Sequence, residues 1–362
     1  MEPAALRDAF PVLDEVAYLN AGTCGPVAAA AVQAAQDTLH IAATDGRWMP
    51  YFERMIDLQA RQRAAYAARI GAQPADVALT TSTSDGIVRV LAGLELGPED
   101  EIVTSDEEHP GLLGPLAAAA RRIGLRVRTV PFEALAEGVS PATGLVACSH
   151  VSWVGGKEAP PALAEVAASG VPVLLDGAQG AGAVPVDVGA LGCAFYAASG
   201  QKWLCGPVGT GFLYVAPAWR ERLAATGPTY MNLEEPGAGL DARPHADARR
   251  YDTPALSAEA SAFAVAAHEV VVEHGGWDAA VRRARDLADR FAAALADHGR
   301  EPEPRGATTL VSWREDDAPA FVQRAAAHRV VVRDLPGRGL VRASIGAWND
   351  ERDLDRLLSL LA

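Results

Sequence analysis

Cysteine is scarce: the four residues Cys24, Cys148, Cys193 and Cys205 are scattered over 362 positions without a CxxC pair. That excludes a disulfide framework, and they read as reduced thiols. No group of His, Cys and carboxylate residues has zinc-ligand spacing, so no metal site is expected. Positive charge is also short, with 32 Lys and Arg against 46 Asp and Glu and a formal charge of −14. Nucleic acids and anionic membranes call for clustered cations, so neither is an expected partner. No apolar run approaches the ~20 residues of a membrane span, and residues 1–8 hold no basic leader ahead of an apolar stretch. A cytoplasmic protein is expected. Internal repeats and low-complexity segments are lacking too.

What the chain does hold is an alternation of short apolar runs with helical patterns. Apolar residues make up 49% and charged residues 22%, enough for a substantial core and for two domains. Residues 77–80, 101–104, 127–130, 145–153, 173–176, 194–197 and 211–215 read as strands. Helices are expected over 27–41, 51–70, 87–94, a stretch through Leu116 and Ile123, and 161–168. This order predicts an α/β fold with a mainly parallel sheet covered on both faces, its ligand beyond the carboxyl ends of the strands. Helical patterns at 257–274 and 281–295 follow, then strands at 310–313 and 329–332. A closing stripe of Leu354, Leu357, Leu358 and Leu361 has Asn349 as its expected N-cap.

Two residues carry the chemistry. The run 173–175 delivers Asp176 to a strand end, and Lys202 stands between Ser199-Gly200 and Trp203-Leu204. A lone lysine is ordinarily a solvated surface residue, and a strand-end aspartate can be a helix cap. In this order the pair suits pyridoxal phosphate: the amine can condense with its aldehyde, and a buried carboxylate can keep the pyridine nitrogen protonated. The stretch Thr81-Ser82-Thr83-Ser84-Asp85-Gly86 opens a helix after a strand. There, hydroxyls and free N–H groups either converge on a phosphate or cap the helix.

The succession Asp176-x-x-Gln179, Ser199-x-x-Lys202 and Gly206-Pro207-x-Gly209-x-Gly211 resembles class V aminotransferases of pyridoxal phosphate fold type I, from Tyr18-Leu19-Asn20 to Val341-Arg342-Ala343-Ser344. That group includes cysteine desulfurases, isopenicillin N epimerase-like proteins and cyst(e)ine C–S lyases. The resemblance implies a seven-stranded type of sheet in a large cofactor-binding domain, residues 18–255. A smaller α/β C-terminal domain follows at 256–362, and an N-terminal segment, 1–17, packs with it. It also implies roles. Lys202 would bind the cofactor aldehyde and move the α-proton; Asp176 would pair with the pyridinium and Gln179 with the phenolic oxygen. Ala178 and His109 would cover the two ring faces, while Thr83, Ser84, Ser199 and Gln201 would hold the phosphate. Thr253 would reach the phosphate of a neighbouring subunit, implying a homodimer with shared active sites. Arg342 would grip the substrate α-carboxylate in a bidentate fork, unless it pairs with Asp334 or Glu351.

The departures bear on the reaction. Gln201 stands where the family often has histidine, and an amide still donates. Trp153 replaces an asparagine after Val151-Ser152, which resembles the C–S lyase-like branch more than the desulfurases. No cysteine lies between Cys205 and Arg342, and residues 334–339 are too short for a mobile thiol-bearing loop, so persulfide-forming desulfuration is disfavoured. The expected activity is β-elimination from the α-carbanion of an amino-acid substrate, expelling a sulfur leaving group and ending in a keto acid and ammonia. Aminotransferase, epimerase and non-catalytic cofactor-binding readings stand as alternatives.

Overall fold

Strands without polar alternation need cover on both faces, and the fold supplies it. The computed structural model describes residues 3–361. In chain order the first elements are α1 (Pro3–Asp8), β1 (Ala17–Tyr18), α2 (Ala29–Thr44), α3 (Met49–Arg69), β2 (Val77–Thr80), α4 (Thr83–Gly93), β3 (Glu101–Ser105) and α5 (Pro110–Ile123). Then come β4 (Arg126–Val130), β5 (Thr143–Ser149), α6 (Leu163–Ala168), β6 (Val173–Asp176), α7 (Val188–Leu191), β7 (Phe195–Ser199) and β8 (Gly211–Val215). The remainder holds α8 (Ala258–Glu273), α9 (Trp277–Asp297), β9 (Leu310–Arg314), α10 (Ala318–Ala327), β10 (Val330–Val331), β11 (Arg333–Leu335), β12 (Leu340–Ser344) and α11 (Glu351–Leu358).

Seven strands form the main sheet in the order β2-β8-β7-β6-β5-β3-β4. From β7 through β4 the strands are parallel; β8 runs antiparallel to both β2 and β7. Every residue of β2, β3, β6, β7 and β8 is buried, whereas edge strand β4 has exposed positions. The parallel strands all point their carboxyl ends at one rim, and β3, β5, β6 and β7 sit side by side there. That rim is the natural ligand site of such a sheet.

A second core lies over the antiparallel sheet β11-β12-β9. Helix α9 lays Leu287, Ala288, Phe291 and Leu295 against Val311 and Trp313 of β9 and Phe321 of α10. Gly299, with φ 68°, follows immediately after its last turn and takes the left-handed conformation that ends helices. The N-terminal segment joins this core: β1 pairs in parallel with β10, Ala17 and Leu19 pack into the cluster, and Arg7 bridges to Asp353 at 2.7 Å. Helix α8, by contrast, lies against α2 and α3. Among the described residues no helix is long and apolar enough to cross a membrane.

The cap of α11 is a correction. Asp350, not Asn349, accepts from the N–H of Asp353 in a capping box. Asn349 is fully buried and its amide is engaged elsewhere, donating to the carbonyl of Tyr18 and to Asp353 and accepting from the N–H of Gly346. A buried carbonyl without a partner costs more than a cap one residue along.

Phe291 and Trp313 are both fully buried, with ring centroids 5.8 Å apart. Phe291→Ala is expected to cost about 3–5 kcal/mol of unfolding free energy, read from urea unfolding of wild type and variant. A loss below about 1 kcal/mol would contradict this packing.

Candidate active site

Four adjacent strand ends build the site. Past β3 comes Glu108-His109, past β5 His150 to Trp153, at the end of β6 Asp176, and three residues past β7 Lys202. Asp176 is buried, and one carboxylate oxygen accepts from the N–H of Ala178 at 2.9 Å. Burial raises its proton affinity while the field of Lys202 lowers it. The Lys202 amine is brought down to about 8, chiefly by loss of water; Asp176 opposes that change, and Arg342 and Arg333 add to it. The only other lysine of the chain, Lys157, is neutralised by Glu107 and Glu133. All other strong side-chain cations are arginines, a pattern that could have singled out Lys202 in the sequence.

At the opening of α4, Ser82 caps the helix by accepting from the N–H of Asp85. Ser199, from the end of β7, accepts from the N–H of Thr83 at 3.0 Å, and the two hydroxyls lie 2.7 Å apart. Two buried hydroxyls and the positive end of a helix thus meet at one point. Ser84 does not join them: its hydroxyl donates to the carbonyl of Gly111 at 2.8 Å, tying α4 to α5. Gln201 follows Ser199 closely and holds a buried side-chain oxygen with no partner.

His109 caps α5, its Nδ1 accepting from the N–H of Gly111 at 3.0 Å. Burial and the fields of Lys202, Arg333 and Arg342 bring the imidazole down to about 4, so it is neutral at pH 7. Its ring meets Trp153 edge-on at 5.0 Å. Gln179 donates to the carbonyl of Gly22 at 2.8 Å and accepts from the indole N–H of Trp203 at 3.0 Å, which fixes its amide. The turn at Gly22 closes this side of the site. A Cβ there would stand 2.7 Å from Ser344 Oγ and 2.9 Å from both Arg342 Nη2 and Gln179 Oε1, so only glycine fits without displacement.

Arg342 is almost fully buried, with one nitrogen donating to the carbonyl of Trp153 at 2.8 Å and Nε without a partner. Neither Asp334 nor Glu351 pairs with it: Asp334 sits beside Val341 in the hairpin, and Glu351 bridges to Arg290. Opposite Arg342 in the β11–β12 register stands Arg333, a residue the sequence reading missed. Among the described residues neither guanidinium forms a salt bridge; Arg333 donates to the hydroxyl of Thr23 at 3.1 Å. Burial, then Arg333, brings Arg342 down to about 9. Two like charges facing each other across a strand pair are destabilising, and a buried charge without a counter-ion costs several kcal/mol. A bound anion would offset that cost.

Thr253 lies elsewhere. Its N–H donates to the carbonyl of Leu79 on edge strand β2, and it lines an outer groove of about 530 Å³ with Phe52, Ile56, Arg63, Tyr230 and Arg249. Beside it, Asp252 takes a two-pronged bond from Arg63 at 2.9 and 2.7 Å. Among the described residues no cluster of three or more His, Cys or carboxylate residues could hold a metal ion.

Known proteins share this architecture. The model of the family Aminotransferase class-V matches residues 18–299. Isopenicillin N epimerase of Streptomyces clavuligerus is 29% identical over 380 aligned residues, covering 96% of this chain and 94% of the relative. Cysteine desulfurase CsdA of Escherichia coli is 32% identical over 230 residues, 59% of this chain and 57% of that protein. Among solved structures, the complex of the cystine C–S lyase C-DES with its reaction product cysteine persulfide superposes with a TM-score of 0.89 at 27% identity, covering 97% and 98% of the two chains. A C-DES mutant with glycine covalently linked to its PLP cofactor gives 0.90 at 27% identity, covering 98% of each. With the family model matching residues 18–299, which include the sheet whose parallel strand ends gather Lys202 and Asp176, the chain belongs to the class V aminotransferase family, pyridoxal phosphate-dependent enzymes of fold type I.

Proposed function

We propose that this site holds pyridoxal phosphate and performs β-elimination on an amino acid carrying a sulfur leaving group and a second carboxylate. The observation that carries it is the pairing of a desolvated Lys202 beside buried Asp176 with two unpaired arginines on the hairpin opposite. The residues fit the cofactor chemically. Thr83 and Ser199 at the opening of α4 suit its phosphate, and the amide N–H of Gln201 next to Ser199-Gly200 would supply a further donor. Ser84 is left to position α5.

When bound, pyridoxal phosphate supplies an electron-withdrawing ring that makes the substrate α-C–H acidic. Asp176 would hold the pyridine nitrogen protonated, Gln179 would donate to the phenolic oxygen, and neutral His109 and Ala178 would flank the ring. Lys202 Nζ, about half neutral near pH 8, takes the proton from the α-carbon and passes it to the departing sulfur. Arg342 fixes the α-carboxylate, so that the α-C–H bond is presented to Lys202. Arg333 takes a carboxylate at the far end of the substrate, as a disulfide-linked amino acid such as cystine carries.

Persulfide capture by an enzyme thiol has little support. Burial pushes the thiols of Cys148, Cys193 and Cys205 up, away from thiolate formation. Cys24 is held in a turn by its own backbone, N–H to Asn20 and carbonyl to the Tyr18 hydroxyl. The β11–β12 hairpin is closed by the bond from Arg338 N to Leu335 O, and no cysteine lies on it. Full-length similarity to an epimerase favours a second reading, reprotonation of the α-carbon with inversion. For the assembly, Trp48 just before α3, Met49, Phe52 and Ile56 along it, and Tyr230 across the groove at Thr253 present large exposed apolar side chains. This face suits a second copy of the chain, with Thr253 turned toward the partner's phosphate.

With cystine, wild type is expected to release pyruvate and ammonia together; racemised substrate without pyruvate would replace this reading with the epimerase one. Arg342→Ala should lower kcat/KM about 10- to 100-fold on any substrate, the worth of charged hydrogen bonds. Arg333→Ala should do so for cystine but not for S-methylcysteine, and equal loss on both would contradict its assignment. The rate of cofactor uptake by apoprotein should rise with pH and level off above about 8, because the neutral amine of Lys202 attacks; a rise continuing to about 10, as for an ordinary lysine, would contradict the desolvated amine.

A further inference from the structure

Glu108 has no part in the chemistry above, yet it is 2% exposed and stands beside the site. Its carboxyl clamps two strands. One oxygen accepts from the Ser105 hydroxyl at the end of β3. The other accepts from both the N–H and the hydroxyl of Ser149 at the end of β5, at 2.9 and 2.6 Å. Ser149 is the register partner of Asp176 on β6, and the next residue, His150, donates its N–H to the Asp176 carbonyl at 2.8 Å. The residue after Glu108 is His109. One carboxyl therefore joins the strand carrying the ring-stacking histidine to the strand beside the pyridine-facing aspartate.

The groups around it leave its charge uncompensated. From β3 it meets Ser105, from β5 Ser149 and the neutral thiol of Cys148, and from β6 the carboxylate of Asp176. Its chain neighbours turn away, Glu107 to Lys157 and Ser152 and His109 to Trp153. Among the described residues no salt bridge reaches it. We propose that Glu108 is a positioning residue for Asp176, acting through Ser149 and the field between the two carboxylates, so that capture of a cation at Asp176 draws the proton off Glu108. Burial, against its three hydrogen bonds and with the help of Asp176, holds the carboxyl at about 7, where a change of field moves its proton under working conditions. A protonated pyridine nitrogen facing Asp176 offsets the repulsion and lowers the proton affinity of Glu108; by linkage, deprotonated Glu108 strengthens cofactor binding. This rests on the reading that the site holds pyridoxal phosphate.

The test is the dissociation constant of pyridoxal phosphate against pH for wild type and Glu108→Gln. The amide can accept from Ser149 and donate to Ser105, so it keeps the clamp while removing the titration. Lys202 contributes the same rise toward its own titration in both proteins, and the difference isolates Glu108. Where loading weakens the proton affinity of Glu108 about tenfold, the two should bind alike near pH 5, wild type should gain across about pH 6 to 7, and above about pH 8 it should bind about tenfold tighter. Superimposed profiles, or tighter binding by the variant at alkaline pH, would overturn the proposal. Wild type alone gives a second readout: near neutral pH, loading should remove the infrared carbonyl band of a protonated carboxyl, and an unchanged band would overturn it. Failure of wild type to take up the cofactor at any pH would sink the site reading and this proposal together.

Discussion

The structure depends on holding buried Asp176 and half-buried Lys202 together at the ends of neighbouring parallel strands. Each alone would be costly there: a desolvated amine gives up its proton more readily, down to about 8 here, and a desolvated carboxylate gains one. Together each preserves part of the other's charge. The parallel sheet makes this possible because its strands end at one rim, where apolar runs such as Val173 to Leu175 bury the approach and leave only the last residue to do chemistry. The second core, around Phe291 and Trp313, serves the same rim by holding the β11–β12 hairpin and its arginines across from it.

That hairpin breaks a local rule. Arg333 and Arg342 stand opposite each other, one buried to 1% exposure, and among the described residues neither has an acidic partner. A sequence optimised for stability alone would place an acid or an apolar pair there. Glu108 is the acidic counterpart of the same logic, a carboxyl kept dry beside another carboxylate. Both destabilising placements lie within reach of the Lys202–Asp176 pair, which is where strain is expected to collect in an enzyme.

Much of this was legible in the chain. The seven strand runs, the strand-end position of Asp176 and the turn-bound Lys202 follow from apolar periodicity and glycine placement, which act locally. The N-cap of α11 was misplaced by one residue because the fate of the Asn349 amide depends on the carbonyl of Tyr18, 331 positions away in sequence. Ser84 looked equivalent to Thr83, but rotation about the helix start turns it to Gly111. Arg333 was invisible for a similar reason: strand register, not sequence spacing, sets it against Arg342. The departure at Trp153 could be read as a substitution, while its contact with His109 and its carbonyl bond to Arg342 needed the fold.

The presence of only two lysines in the chain makes one measurement unusually direct. Protein loaded with pyridoxal phosphate, reduced with borohydride and digested, should carry the cofactor mass on the peptide containing Lys202 and leave Lys157 unmodified. Label on Lys157 alone, or on neither lysine, would contradict the assignment on which the account rests.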